Sequence, residues 1–135
     1  MELLVLEIGA VKFGLDAKHV REVQRVAALT PLPEAGTAVE GAMNLRGELV
    51  PVLDVRRLIG HAPKEMALTD HFVVFGTASR AAAVRVDRAV ELVQVDEQSA
   101  EADAASESKF VSRVVRVQDE FVHVLDPERL LAAAR

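Results

Sequence analysis

Apolar residues come in short bursts along this chain, and most bursts fit strands better than helices. Leu3-Leu-Val-Leu-Glu-Ile8 is a brief apolar run, and Val11-Lys-Phe-Gly-Leu15 alternates with a period of two. Glu48-Leu-Val-Pro-Val-Leu-Asp54 is β-branched and follows Gly47, and Phe72-Val-Val-Phe75 closes on Gly76. Ala82 to Val95 holds two strand-like stretches, and Val114-Val-Arg-Val117 and Phe121-Val-His-Val-Leu125 complete the set. Short strands punctuated by Gly and Asp predict an all-β barrel or sandwich with short helices. One helix is expected after Asp126-Pro127, because Asp can cap free amides and Pro is tolerated at the first helical position. A shorter one is expected over Asp54–Ile59, and a helical turn near Asp16–Val20.

These helix starts belong to a repeat. Gly47 to Ile59 aligns without gaps on Asp119 to Leu131, at an offset of 72 residues. Seven of the thirteen positions are identical, including the Asp54/Asp126, Arg57/Arg129 and Leu58/Leu130 pairs. Periodicity on this scale implies two related units. The expected halves are residues 1–65 and 68–135, with the terminal strand and helix crossing between them. Each half is small for an independent core, so the two should pack as one domain over residues 1–135.

Composition narrows the function. Half of the 135 residues are hydrophobic, mostly Val, Leu and Ala, with five Phe and no Trp or Tyr. No apolar run approaches the roughly 20 residues of a membrane helix. The start, Met1-Glu2-Leu3-Leu4, lacks the features of a secretory leader, so a cytoplasmic protein without direct membrane contact is expected. The absence of Cys removes disulfides, thiolate metal sites and thiol catalysis together. Net charge is −5, and residues 96–109 alone hold five acids and one base. The remainder is close to neutral, without the basic stripe that tracks nucleic-acid phosphates. An SH3-like or OB-like nucleic-acid module is the competing class, disfavoured on that ground.

Candidate chemistry is sparse. His19, His61, His71 and His123 share no metal-site spacing, and His123 alternates with core valines as a strand-surface residue would. No Ser lies in a nucleophile elbow and no Gly-rich phosphate loop occurs. No metal, cofactor or catalytic group is expected. The strongest local signal is Asn44-Leu45-Arg46-Gly47, where polar residues interrupt an apolar region just before a strand. Gly47 suits a turn that needs positive φ, which would fix Arg46 at an edge. A guanidinium held there is suited to bidentate pairing with a carboxylate. A plain surface Arg in a hairpin turn is the other reading of the same residues.

The segment Gly41-Ala-Met-Asn-Leu-Arg-Gly-Glu-Leu-Val-Pro-Val-Leu-Asp-Val-Arg56 resembles the central motif of the CheW family of chemotaxis coupling proteins. Phe13 to Val23, Ala83 to Leu92 and Val122 to Leu131 resemble the family's flanking segments, in order along nearly the whole chain. The departures are Phe13 where Tyr is common, Ala83 where Gly is frequent, and Ser112-Arg113 near an expected Gly.

The resemblance implies a fold and a role. The fold is two SH3-like β-barrels packed as one domain. The role is a non-catalytic adaptor, without cofactor, joining the cytoplasmic helical tips of chemoreceptors to the regulatory domain of a CheA-type histidine kinase. Such a chain would be monomeric alone, form rings in arrays, and be recruited to membrane-associated receptors. A divergent adaptor that binds receptors without kinase, or serves a non-flagellar pathway, is the alternative within the family. For the receptor groove the resemblance implies Val20, Glu22, Val23, Asn44, Arg46 and Val86, with Glu22 paired to Arg46 and Gly41 and Gly47 as turn residues. For the three valines an ordinary core position is the competing reading.

Overall fold

In a strand, alternate residues face opposite sides, so a sheet covered on both sides needs apolar residues at nearly every position. The computed structural model, which describes residues 1–96 and 108–134, realises this. Its strands are β1 (Glu2–Ile8), β2 (Val11–Asp16), β3 (Val20–Arg25), β4 (Val39–Leu45) and β5 (Glu48–Leu53). They continue as β6 (His71–Gly76), β7 (Ala81–Val86), β8 (Arg88–Gln94), β9 (Val111–Val117) and β10 (Glu120–Leu125). Helices are short: α1 (Val55–Leu58), α2 (Pro127–Ala133) and a 3-10 turn over Ala17–His19. Most of the acidic stretch singled out in the sequence lies outside the described residues.

Two five-stranded sheets result, ordered β8-β1-β2-β10-β9 and β3-β6-β7-β5-β4. Sheet membership therefore cuts across the division at residues 65 and 68. β1 and β2 leave the first half to join β8, β9 and β10, and β6 and β7 leave the second half to join β3, β4 and β5. The physical reason is pairing geometry. The repeated strands β5 and β10 each pair antiparallel within their hairpin and parallel with a strand of the other half, β5 with β7 and β10 with β2.

The repeat reaches further than the sequence identity. The ladder slips between Val20 and Glu22 of β3, and at the matching place in the β8–β1 ladder, between Val5 and Leu6. It slips again between Val39 and Gly41 of β4, opposite Leu53 and Val52, and between Leu125 and Val124 of β10. Both hairpin turns have positive φ at their two central residues, Arg46 and Gly47 in one, Gln118 and Asp119 in the other. That is the backbone a two-residue hairpin turn favours.

Three cores follow from the alternation. In β6, Phe72 and Val74 pack with Met43, Val50, Val52 and Ala83 in a core belonging to their own sheet. Leu3, Val95, Val115, Val122 and Val124 form its counterpart in the other sheet. Val73 and Phe75 point the other way, into a shared core where Leu6, Phe13, Leu15, Leu53, Val84 and Leu130 meet. Phe75 is fully buried there, a burial that contributes roughly 2 kcal/mol. Each sheet thus wraps a small core and the pair is joined by a larger one.

The caps are as expected. Asp126 Oδ1 accepts the amides of Glu128 and Arg129 at 3.0 and 3.3 Å, and Asp54 Oδ1 accepts that of Arg57 at 3.3 Å.

Candidate partner-binding site

The hairpin turn carries the site. Asn44 Oδ1 accepts the Gly47 amide at 2.8 Å, tying the turn across its base. Arg46 adopts φ 49, a left-handed conformation unfavourable for a side-chain-bearing residue. From that position Arg46 Nη1 reaches Glu22 Oε2 at 2.7 Å. Glu22 Oε1 accepts from Gln24 Nε2 at 2.7 Å, so both carboxylate oxygens are held. β3 and β4 are opposite edges of their sheet. The ion pair links these edges, and Thr30, in the segment between the two strands, exchanges two 2.8 Å backbone hydrogen bonds with Ala42 of β4. The Arg46 side chain is 73% exposed and that of Glu22 27%, which places the pair at the rim.

The apolar residues divide. Val23 is 40% exposed beside the fully buried Val73. Val20 is half-buried against the shared core. Val86 is 1% exposed inside that core, so it offers a partner no surface. The correction has a simple cause: β7 lies in mid-sheet, where both faces are covered. Gly41 is corrected as well, since it is not in a turn. It lies within β4 where the ladder slips, and a Cβ there would meet Leu29 Cβ and the Thr30 carbonyl at 3.0 Å.

Five further large apolar residues are exposed, Leu49, Met66, Leu68, Leu92 and Phe121, and two of them stand out by their pairing. Leu49, 54% exposed, stands opposite Asn44 across the hairpin. Leu92, 57% exposed, pairs with Leu4 on β1 as Val23 pairs with Val73 on β6. The β5 alternation carried a usable signal for Leu49, because Val50 and Val52 already face inward.

A charged network fastens the sheets behind this site. Arg85 lies against both Glu40 oxygens, at 2.8 and 3.1 Å, and donates to Asp70 at 2.9 Å and to the Lys64 carbonyl at 2.8 Å. Lys64 Nζ bridges Asp70 at 2.8 Å and Asp87 at 3.2 Å. Asp87 also takes Arg56 at 3.0 Å and the Gly9 amide at 2.8 Å, reaching the β1–β2 turn of the other sheet. Burial alone would raise the Asp70 and Asp87 carboxyls. Hydrogen bonds outweigh it and hold both below the ordinary value, from Lys64, Ala67 and Arg85 at Asp70 and from Gly9, Arg56 and Lys64 at Asp87. Arg56 and Asp87 come from two different segments of the family resemblance, and the structure unites them in one clamp. Elsewhere, His123 is half-buried with its ring 5.6 Å from that of Phe13, and burial and His61 lower its pKa.

Among the described residues no group of three or more potential metal ligands occurs, and no helix is long and apolar enough to cross a membrane.

Residues 2–135 match the family described as CheW-like domain. Protein FrzA of Myxococcus xanthus is 27% identical over 139 residues, covering 99% of this chain and 87% of that protein. The chemotaxis protein CheW of Treponema pallidum (strain Nichols) is 22% identical over 140 residues, covering 98% and 82%. Among solved structures, the scaffolding protein TtCheW from Thermoanaerobacter tengcongensis has the same fold. Its TM-score is 0.83 at 24% identity, over 93% of this chain and 83% of that one.

Proposed function

The chain belongs to the CheW-like domain family, and from that membership we propose that it is a non-catalytic adaptor coupling chemoreceptors to a CheA-type histidine kinase. The observation that carries the reading is the Glu22–Arg46 pair. It is a charged contact on an exposed rim, on a turn whose copy in the other half has Gln118 in place of Arg46. The pair is therefore not part of the architecture that the two halves share.

Val23 and Leu49 add exposed apolar surface on the strands that carry this pair. Together they offer an amphipathic helix what it needs, apolar contact along one face and a charged pair to set its register. The receptor's helical tip is the partner assigned to this surface. The regulatory domain of the kinase is assigned to the outer end of a sheet. Contacts of this kind are modest, so assembly relies on many of them acting together in an array.

The experiment is a co-sedimentation assay in which receptor tip fragments and kinase are offered separately. The proposal predicts binding to each, with Arg46→Glu weakening capture of the receptor while capture of the kinase persists. Equal receptor capture by the variant and the parent would remove the rim pair from the account.

A further inference from the structure

Glu22 and Gln24 stand two residues apart on β3, so their side chains share a face. The ladder identifies that face. Glu22 pairs with Val74 and Gln24 with Phe72 on β6, and both of these partners are buried in the small core of their own sheet. Two polar side chains therefore lie at the mouth of an apolar core, on an edge strand. Gln24 is half-buried there. A half-buried amide costs free energy unless it is hydrogen-bonded. The structure gives it Glu22: Gln24 Nε2 donates to Glu22 Oε1 at 2.7 Å.

The other half shows what else this strand position accepts. Its ladder slips at the matching place, so Glu91 beside Val5 corresponds to Glu22 beside Val74, and Val93 beside Leu3 corresponds to Gln24 beside Phe72. Val93 packs with Leu3 in the small core of its sheet. The halves thus share the glutamate and differ at its neighbour, which is apolar in one and an amide donor in the other. The donor and the cation occur in the same half, around one carboxylate.

A carboxylate held by a single hydrogen bond can still turn about it. A second bond to the other oxygen fixes both its place and its plane, and Gln24 supplies that bond. Arg46 reaches Glu22 from the opposite edge of the sheet, with its side chain 73% exposed. It spends Nη1 on the carboxylate, so the direction of Nε and Nη2 follows from how the carboxylate lies. We propose that Gln24 is the positioning residue of the rim. It locks the Glu22 carboxylate and, through it, aims the remaining donors of Arg46 at a hydrogen-bond acceptor on the partner. The effect on capture rests on the receptor assignment above, whereas the hold on the ion pair does not.

Two variants remove the donor: Gln24→Val, which installs the residue of the other half, and Gln24→Met, which nearly keeps the shape. Nitrogen-15 relaxation of the Arg46 side-chain Nε–H, measured on the full chain without a partner, should show an ordered guanidinium in the parent and a mobile one in both variants. Urea midpoints should equal or exceed the parent's, because an apolar group replaces an amide over Phe72. Receptor capture in the co-sedimentation assay should weaken by about threefold or more, as for loss of one hydrogen bond. The same substitutions in an Arg46→Ala background should cost nothing further. A guanidinium as ordered in the variants as in the parent would overturn the proposal. So would variants that match a receptor-binding parent in capture, an equal loss in both backgrounds, or a fall in midpoint that parallels the fall in capture. Mobile Arg46 in the variants beside a parent that captures no receptor would support the positioning and remove the coupling reading.

Discussion

Glu22 and Arg46, 24 residues apart in sequence, meet at 2.7 Å and join the turn after β4 to β3 on the opposite edge of the same sheet. So exposed a pair contributes little to folding, between about 0 and 1 kcal/mol. Its value lies in the shape and charge it gives the rim. Arg46→Ala is therefore expected to leave the urea unfolding midpoint close to the parent's while weakening receptor capture. A large loss of stability in that variant would make the pair structural.

Arg85 behaves oppositely. Its side chain is 7% exposed and that of Asp70 only 1%. Removing one partner of such a pair leaves an uncompensated buried charge, which costs about 3 kcal/mol or more. Arg85→Met should lower the free energy of unfolding by that amount in urea titrations, and it should also loosen residues 61–70 in hydrogen exchange.

The clamp and His123 divide the pH dependence into two windows. His123 is depressed from 6.5, so the unfolded chain takes up its proton first as pH falls below that value, and stability declines. Asp70 and Asp87 are depressed from 3.8. Their contribution is intact above the unfolded value and is lost as pH falls through the lower folded values. Urea midpoints measured from pH 8 to pH 3 should show both declines, and His123→Gln should abolish the first while sparing the second. A midpoint independent of pH between 7 and 5 in the parent would contradict the first.

Gly41 lies where β4 slips, with Leu29 and Thr30 closing the space above it. Gly41→Val should cost roughly 1–3 kcal/mol, the usual penalty of overfilling packed structure. Gly47→Val leaves the space open but strains a residue at φ 88, so the first variant should lose packing and the second turn geometry. Thermal unfolding of both, with amide spectra to locate the disturbance, tests the distinction.

Much of the fold was legible in the sequence because burial on two faces leaves an unmistakable run such as Phe72 to Phe75. The repeat of strand, Asp cap and short helix was legible because Asp54 and Asp126 do the same work. β3 was not, since Val20-Arg-Glu-Val-Gln-Arg25 has only two apolar residues and they do not alternate. β4 was hidden by Gly41, which reads as a turn residue, and by Asn44, a polar interruption of the apolar run. The exchange of strands between sheets is invisible to local pattern, because it depends on which distant strand β5 and β10 select as parallel neighbours. At the site, Arg46 and Glu22 were reachable through the resemblance, and the structure adds the geometry that brings them together. Val86 misled because a motif records which residue stands at a position, while its exposure is set by the neighbouring strands. The clamp was missed because Lys64 and Asp70 sit in a segment with no periodicity at all.

The central claim is coupling through the rim, and reconstitution measures it most directly. Receptor tips, a CheA-type kinase and this chain are combined, and kinase activity is followed with and without attractant. The parent chain is expected to place the kinase under receptor control, and Arg46→Glu to reduce that control by about tenfold or more in the concentration required, as loss of a charged contact implies. Full receptor control with Arg46→Glu, at the same concentration as the parent, would contradict the account.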